Sequence, residues 1–242
     1  MRELRVYLAG NWQCGEHVPL SPEQFNYLKN ALRLRDGERI TVFNGQNQIA
    51  TAEVTFEKRQ GVVIIGQTRQ HSIESPLHSH LLQAMGKGEK MDWVVQKAVE
   101  LGVSRITPIA TERSVVELKG ERADKRQARF IDIAISACEQ SGRNFLPIID
   151  PITPLTIALS QTDAMLKWVL HPFKVANPAP TEPHPPRGAA ILIGPEGGLT
   201  DQEVREAMAS GFVPITLGQR ILRTETAPIV ALTALQMRWG DF

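Results

Sequence analysis

The stretch that decides the fold is Ala190-Ile191-Leu192-Ile193-Gly194-Pro195-Glu196-Gly197-Gly198-Leu199. Its four apolar residues predict a buried β-strand, and the glycines after them predict a turn in which a ligand can approach the backbone. Thr200-Asp201-Gln202-Glu203 follows with the spacing of a capping box, so we expect a helix to start there. Strand, glycine loop and helix in this order are typical of an open α/β sheet, which binds ligands at the carboxyl ends of its strands.

The glycine loop alone is a weak sign of a site, because a tight strand-to-helix turn would need the same glycines without any ligand. No Gly-Lys-Ser/Thr follows it, so it is not a Walker phosphate loop. The chain also lacks the G-x-G-x-x-G pattern of dinucleotide-binding proteins, which argues against that class of site.

A second polar loop follows the predicted strand Val213-Pro214-Ile215-Thr216-Leu217. It reads Gly218-Gln219-Arg220-Ile221-Leu222-Arg223-Thr224-Glu225-Thr226-Ala227-Pro228 and precedes an apolar helix predicted over residues 229–237. Two arginines, a glutamate and two threonines beside an apolar helix favour a functional site over a solvated loop.

The chain between residue 71 and these loops alternates between short apolar runs and helical patterns. Strands are predicted at residues 81–85, 106–109, 164–170 and 189–193, and helices at residues 92–101 and 123–141. This alternation predicts a mostly parallel sheet with helices on its faces.

The first 70 residues predict a small β-barrel or sheet with one helix. Leu4, Val6 and Leu8 alternate with polar neighbours, as in a half-buried strand. Ser21-Pro22-Glu23-Gln24 predicts the start of a helix that ends at Asp36-Gly37, and Asn44-Gly45 predicts a hairpin turn. We expect two domains, residues 1–70 and 71–242, with the boundary between residues 70 and 75.

The composition is that of an ordinary globular protein, with 42% hydrophobic and 22% charged residues and a net charge of +1. No apolar run approaches the roughly 18–20 residues of a membrane span, and charge at Arg2, Glu3 and Arg5 opposes a signal peptide. Cys14 and Cys138 form neither a disulfide framework nor a metal-ligand pattern. We expect a cytoplasmic protein with no metal and no membrane partner. Near-zero net charge leaves RNA binding through a local patch open.

Five segments together carry a resemblance to a known family. They are GEKMDWVVQKAVELGVSRITPIATERSVV from Gly88, ACEQSGRN from Ala137, LHP from Leu170, GPEGGLT from Gly194 and LGQRILRTETA from Leu217. In this combination the chain resembles, over nearly its whole length, the RsmE family of 16S ribosomal RNA uridine-N3 methyltransferases of the SPOUT superfamily.

The resemblance implies an α/β fold: a SPOUT-type parallel sheet with a deep carboxyl-terminal trefoil knot, plus a small amino-terminal PUA-like β-barrel that helps to bind RNA. It also implies S-adenosyl-L-methionine as methyl donor, S-adenosyl-L-homocysteine as product, a homodimer, and 16S ribosomal RNA within an assembled small subunit as substrate. The cofactor-binding residues that it implies are Leu170, His171, Pro172, Gly194, Pro195, Glu196, Gly197, Gly198, Leu217, Gly218, Gln219, Arg220, Ile221 and Leu222.

The chemistry of the implied reaction suggests which residues catalyse it. N3 of uracil is a poor nucleophile until it loses its proton, so a cation that stabilises the anion would lower the barrier. Arg223 is the first candidate and Arg143 the second. The alternative for Arg223 is that it only pairs with Glu225 or another carboxylate to hold the loop.

Basic residues outside the two loops are candidates for RNA contact. They are Arg5, Arg33, Lys87 and Lys90. The lysines could equally form a solvated helix start. Residues 172–187, which hold six of the 16 prolines, are predicted to be a surface excursion rather than a lid.

Two other classes of protein remain open on the residues alone. One is a nucleotide-handling enzyme that uses the glycine loop as a phosphate cradle, and the other is a non-catalytic RNA-binding module. Binding of the methyl donor would eliminate the first, and methyl transfer to ribosomal RNA would eliminate the second.

Overall fold

The computed structural model describes residues 4–58, 60–114, 120–171 and 186–242. The chain divides into two compact units. Unit 1 comprises Met1–Ile73 and Cys138–Leu146, and unit 2 comprises Glu74–Ala137 and Pro147–Phe242. The return of Cys138–Leu146 to unit 1 depends on contacts distant in sequence, such as the hydrogen bond from Leu146 N–H to Gly45 O at 3.0 Å.

Unit 1 is built on a five-stranded sheet with the order β1-β3-β4-β5-β2. The strands are β1 (Arg5–Tyr7), β2 (His17–Pro19), β3 (Glu38–Phe43), β4 (Gln48–Glu57) and β5 (Gln60–Gln70). β1 is parallel to β3, and the other pairings are antiparallel. Its core includes Val42, Val54 and Leu28, each fully buried.

The helix predicted from Ser21 begins as expected but ends early. Ser21 and Gln24 form the complete capping box, and α1 spans Pro22–Asn26. The chain then continues as a π-helical turn over Tyr27–Ala31, so it leaves helical geometry before Asp36-Gly37. The prediction of one helix up to Asp36 was therefore wrong in its second half, because the wider turn changes the period that the apolar pattern assumed.

The hairpin after β3 is present, but its loop is longer than Asn44-Gly45 predicted. β3 ends at Phe43 and β4 starts at Gln48, which leaves four residues in the connection. The side chain of Asn44 explains the wider loop, since its Oδ1 accepts hydrogen bonds from the N–H groups of Gln46 and Gln48.

Unit 2 contains the parallel sheet that the alternating pattern predicts, with the order β12-β10-β11-β6-β7-β8, and β9 also pairs with β7. The strands are β6 (His78–Ala84), β7 (Arg105–Ala110), β8 (Ile148–Ile149), β9 (Thr153–Pro154), β10 (Leu166–Leu170), β11 (Gly188–Ile193) and β12 (Val213–Ile215). All pairings are parallel. Burial on both faces explains why β11 is an almost continuous apolar run.

The remaining helices are α2 (Lys90–Glu100), α3 (Glu121–Ser141), α4 (Leu155–Ser160), α5 (Asp201–Ala209) and α6 (Thr226–Trp239). The capping box of Thr200 and Glu203 opens α5 as predicted. α6 starts three residues before the predicted helix, and its Leu232 and Leu235 are fully buried. In the described part of the chain, no helix is long and apolar enough to span a bilayer.

Strand β12 is shorter than the predicted strand over residues 213–217 and carries Pro214 at its centre. It lies at the edge of the sheet, where a missing backbone N–H is tolerated. Its early end frees Thr216 and Leu217 to join the second loop.

Candidate functional site

The glycine loop, residues 194–198, begins where β11 ends and folds back on itself. Gly198 donates its N–H to Pro195 O at 2.9 Å. Gly198 has a φ of +70°, a conformation that L side chains rarely adopt. A Cβ at Gly194 would lie 3.0 Å from both Cγ and N of Leu199, so only glycine lets the loop close this tightly.

The arginine loop, residues 217–223, follows β12 and lies beside the end of β10. His171 donates its N–H to Ile215 O at 3.0 Å, and the Thr216 hydroxyl donates to His171 O at 3.2 Å. These two bonds extend the pairing of β10 with β12 beyond the strands. Parallel strands β10, β11 and β12 therefore bring the two loops and residues 170–171 to one edge of the sheet.

A cavity of about 630 Å³ lies at this edge, entirely within unit 2. Twelve of the predicted cofactor and catalytic residues line it: Leu170, His171, Gly194, Pro195, Glu196, Gly197, Gly198, Leu217, Arg220, Ile221, Leu222 and Arg223. Gly218 and Gln219 belong to the arginine loop but do not line the cavity. Pro172 lies outside the described residues, as does most of the proline-rich segment.

Lys90 connects the glycine loop to the start of α6. Its Nζ lies 3.0 Å from Glu196 Oε1 and 3.4 Å from Glu225 Oε2. The hydrogen bond to Glu196, followed by the charges of both carboxylates, raises the pKa of Lys90. Burial by itself would raise the pKa of Glu196, but its own backbone N–H, Lys90 and the N–H of Lys87 together hold that pKa below its ordinary value.

Arg223 is exposed and lines the cavity, and its guanidinium has no hydrogen bond or ion pair among the described residues. The carboxylate of Glu225 is paired with Lys90. The alternative in which Arg223 serves only to pair with Glu225 thus lacks support in this geometry. Arg223 is positioned by its backbone, since its carbonyl accepts the N–H groups of Thr226 and Ala227 in the first turn of α6.

Sequence reasoning missed eight residues of the cavity wall: the polar Arg113, Asp201, Thr216 and Thr224, and the apolar Ile193, Leu199, Ile215 and Ala227. Arg113 donates to Gly197 O at 2.9 Å and so holds the glycine loop from the segment after β7. Arg113 stands within the family motif that starts at Gly88, and this motif was the sequence signal that could have assigned it to the site. Lys90, predicted to contact RNA, also lines the cavity, and its RNA role remains a prediction.

Arg143 lies in unit 1, whereas the residues that line the cavity all belong to unit 2. The residue is 4% exposed, and its carbonyl accepts a hydrogen bond from Arg5 at 3.1 Å. The neighbouring Asn144 is fully buried, accepts from Arg5 Nη2 at 2.5 Å and donates to His71 O at 2.8 Å. These contacts give the Arg143-Asn144 motif a structural role in unit 1, and its catalytic role remains a prediction.

Two of the other predicted RNA contacts, Arg33 and Lys87, are exposed, whereas Arg5 is half-buried and bonded to Arg143 O and Asn144 Oδ1. Arg33 in unit 1 follows the π-helical turn with a φ of 57°, and Lys87 in unit 2 precedes α2. In the described ranges no group of three or more metal-ligating side chains occurs.

The cavity fits S-adenosylmethionine, the cofactor that the resemblance implies. Its volume falls within the roughly 300–1,000 Å³ typical of sites for small molecules. Ile193, Leu199 and Ile215 supply apolar surface for a purine, while the glycine loop lets backbone groups approach it. Asp201 and Arg220 offer opposite charges to the ammonium and carboxylate of a methionine group.

Comparison with known proteins identifies two families of domain in the chain. An RNA methyltransferase domain matches residues 73–236, and an RNA methyltransferase PUA domain matches residues 20–65. A ribosomal RNA small subunit methyltransferase E from Buchnera aphidicola is 35% identical over 98% of this chain and 97% of its own length.

Two solved structures are similar over 100% of both chains. A methyltransferase from Legionella pneumophila, in complex with S-adenosylmethionine, is 41% identical with a TM-score of 0.93. A ribosomal RNA small subunit methyltransferase E from Neisseria gonorrhoeae, also bound to S-adenosylmethionine, is 40% identical with a TM-score of 0.87. The resemblance found in the sequence motifs is thus confirmed, and the chain belongs to the ribosomal RNA small subunit methyltransferase E family of RNA methyltransferases.

Proposed function

We propose that the protein transfers a methyl group from S-adenosylmethionine to N3 of a specific uridine in 16S ribosomal RNA. The observation that carries this proposal is the cavity at the carboxyl ends of β10, β11 and β12, where the two family loops meet. Two relatives that are 40% and 41% identical hold S-adenosylmethionine in their structures, which supports the same cofactor here.

The cofactor, when bound, supplies an electrophilic methyl group on its sulfonium. The glycine loop would hold the purine and ribose through its backbone, and residues 170–171 and 217–222 would form the other walls. Asp201 and Arg220 would fix the amino-acid end. The protein then acts mainly by alignment, because a fixed approach of the nucleophile removes much of the entropic barrier.

Arg223 would stabilise the uridinate anion. Its guanidinium has no partner among the described residues and lies in the cavity wall, so it is available for a target base beside the cofactor. A fixed cation placed where negative charge develops is an effective form of electrostatic catalysis. Arg143 is the second candidate, and its burial in unit 1 makes it the weaker one.

We assign residues 1–70 to RNA binding and residues 71–242 to catalysis. The PUA match over residues 20–65 and the exposed Arg33 support the first assignment. Arg5, Lys87 and Lys90 are the further basic residues proposed to contact RNA.

The finer fold and assembly are part of the same proposal. In unit 2 the chain passes from β10 to β11 and then returns past β10 to β12, a crossing that a SPOUT trefoil knot requires.

We also propose a homodimer that acts in the cytoplasm on an assembled small subunit. Light scattering tests the dimer, and a particle of 26.9 kDa at micromolar concentration would contradict it.

The decisive experiment is mass spectrometry of 16S ribosomal RNA from a strain that lacks the gene. We expect one 3-methyluridine to disappear and to return on complementation. An unchanged modification pattern would overturn the substrate assignment. Calorimetry with S-adenosylhomocysteine tests the first alternative, because a nucleotide-handling enzyme would not bind it. Methyl transfer to ribosomal RNA tests the second, because a non-catalytic RNA module would bind RNA without transferring a methyl group.

A further inference from the structure

Two side chains and two backbone carbonyls form a hydrogen-bond chain at the wall of the cavity. The Thr224 hydroxyl donates to Gly194 O at 2.7 Å, and Gln83 Nε2 donates to Thr224 Oγ1 at 3.1 Å. Gln83 Nε2 also donates to Ala84 O at 3.2 Å. The chain thus runs from the end of β6, through the residue after Arg223, to the first residue of the glycine loop.

We propose that Gln83 and Thr224 are positioning residues that set the spacing between the glycine loop and the arginine loop, and through it the position of Arg223. This inference rests on the proposed function, because it assigns the two residues a role in the site that binds S-adenosylmethionine.

Burial of Gln83 makes this hydrogen-bond chain more rigid than the ion-pair bridge through Lys90, which also connects the glycine loop to the start of α6. Gln83 is 2% exposed, and its amide donates to Thr224, which is half-buried. The bridge from Glu196 through Lys90 to Glu225 has side-chain exposures of 29%, 35% and 18%. Exposed ion pairs hold geometry weakly, whereas a buried donor or acceptor that loses its partner is penalised.

The chain of donors has one direction, which makes its parts interdependent. Threonine has a single hydroxyl hydrogen, and Gly194 O receives it. Thr224 Oγ1 must then accept from Gln83, so the amide Nε2 faces Thr224. Gln83 Oε1 is left buried without a hydrogen-bond partner in the described structure. The amide keeps this orientation despite an unsatisfied oxygen, because Thr224 Oγ1 and Ala84 O both accept from its nitrogen.

The glycine loop transmits the position of Gly194 to the rest of the site. A Cβ at Gly194 would clash with Leu199, and Gly198 N–H closes the turn on Pro195 O. Movement of the Gly194 carbonyl therefore moves the loop as a unit. Thr224 is adjacent in sequence to Arg223, so the same hydroxyl fixes the backbone beside the proposed catalytic side chain.

Three variants test the role of the chain. Thr224→Val keeps the shape of the side chain but removes the hydroxyl, and Thr224→Ser keeps the hydroxyl. Gln83→Glu replaces the donor with an acceptor that competes with Gly194 O for the hydroxyl hydrogen. The matched control is Thr162→Val, since Thr162 is 5% exposed and donates to Ala158 O at 2.7 Å, and it does not line the cavity.

Hydrogen exchange of the ligand-free protein gives a readout independent of activity. We expect Thr224→Val and Gln83→Glu to raise amide exchange in residues 194–199 and 217–223, with Thr224→Ser close to wild type. Thr162→Val should lower the melting temperature to a similar extent without any change in those two segments. Increased exchange throughout unit 2 in Thr224→Val, or no increase in either loop, would overturn the proposal.

Calorimetry with S-adenosylhomocysteine completes the test. We expect Thr224→Val to raise the Kd about tenfold, equivalent to about 1.4 kcal/mol, and Thr224→Ser to restore it. With wild-type binding intact, an unchanged Kd in Thr224→Val would contradict this inference alone. Absence of binding by the wild-type protein would instead contradict the proposed function.

Discussion

Lys90 Nζ lies 3.0 Å from Oε1 of Glu196, so the first residue of α2 is bonded to the middle of the glycine loop. Glu225, which precedes α6, lies on the other side of the same ammonium at 3.4 Å. One cation thus holds together two carboxylates that would otherwise repel each other beside the cavity. The pair also explains why a glutamate occurs in a loop whose other residues are glycine and proline.

Replacement of this cation should affect ligand binding more than folding. We expect Lys90→Met to weaken S-adenosylhomocysteine binding by roughly three- to tenfold, with little change in melting temperature, because exposed ion pairs contribute little to stability. Lys97→Met is the matched control, since Lys97 pairs with Glu100 on the same helix at 2.8 Å and does not line the cavity. Equal affinities of the two variants would contradict a role for Lys90 in the site.

The pH dependence of this effect follows from the lowered pKa of Glu196. Because the folded-state pKa lies below the ordinary value of 4.5, the stabilisation of the carboxylate is present above that value. It is lost as the pH falls through the folded-state pKa. The small difference in stability that we expect between wild type and Lys90→Met should therefore be confined to higher pH and should vanish in strong acid, as measured by denaturant titration across this range.

Arg223→Ala should lower turnover by about 10²–10³, the range found when one donor to a developing anion is removed. The affinity for the methyl donor should change far less, because the interaction belongs to the transition state. Higher pH should partly restore the rate, since more uracil then ionises unaided, and Arg223→Lys should recover only part of it. Single-turnover kinetics measure the effect, with exposed Arg205→Ala on α5 as control. Normal turnover in Arg223→Ala would remove this residue from the mechanism.

Gly198→Val should block the cavity by placing a side chain where the backbone approaches the ligand. The structure adds a second effect, because φ at Gly198 is +70° and a β-branched residue is strained there. Gly15→Val reports the strain alone, since Gly15 has a φ of +85°, open space around its Cβ and a place in unit 1. Both variants should be destabilised, and only Gly198→Val should lose S-adenosylhomocysteine binding in calorimetry. Retained binding would exclude the glycine loop from the site.

His80 should make the protein sensitive to mild acid. Burial, followed by the charge of Arg105, lowers its pKa to about 4 from 6.5. The unfolded chain therefore binds a proton between these values that the folded protein does not. The contribution of His80 to stability should fall by about 3 kcal/mol as the pH drops from 6.5 to 4, and this contribution should then level off.

The test of this acid sensitivity is denaturant unfolding of His80→Gln at several pH values. The slope of stability against pH between 4 and 6.5 should decrease in this variant. His78→Gln, which changes an exposed histidine on the same strand, should retain the wild-type slope. An unchanged slope in His80→Gln would show that other groups cause the acid sensitivity.

RNA binding is better tested by point changes than by truncation of the first 70 residues. Cys138–Leu146 belongs to the same unit as those residues, so their deletion would leave buried Asn144 without its bond to Arg5. Arg35 is a second exposed arginine, two residues after Arg33 in unit 1. We expect Arg33→Gln combined with Arg35→Gln to weaken RNA binding and to reduce the slope of log K against log salt by about two, one for each lost phosphate contact. An unchanged slope would place the RNA elsewhere.

The parallel sheet and the two loops follow from local sequence. Apolar runs such as that of β11 favour buried strands, and the pairing of Thr200 with Glu203 fixes the start of α5 through bonds only three residues apart. The candidate cavity residues were predicted by motif resemblance. Twelve of them line one cavity because parallel strands place their carboxyl ends at the same edge.

Only the tertiary structure decided which residues far apart in sequence form hydrogen bonds, ion pairs or a common unit. The link between Lys90 and Glu196, the chain from Gln83 to Gly194, and the membership of residues 138–146 in unit 1 have no local pattern. Each depends on the distance between side chains far apart in sequence, which strand order and register determine. The sequence by itself therefore determined the strands and helices that carry the site, the two loops and the family, but not the π-helical turn after α1 or the longer loop after β3. The packing of these elements decided whether a charged or polar side chain such as Arg223 or Arg143 faces a cavity or is buried.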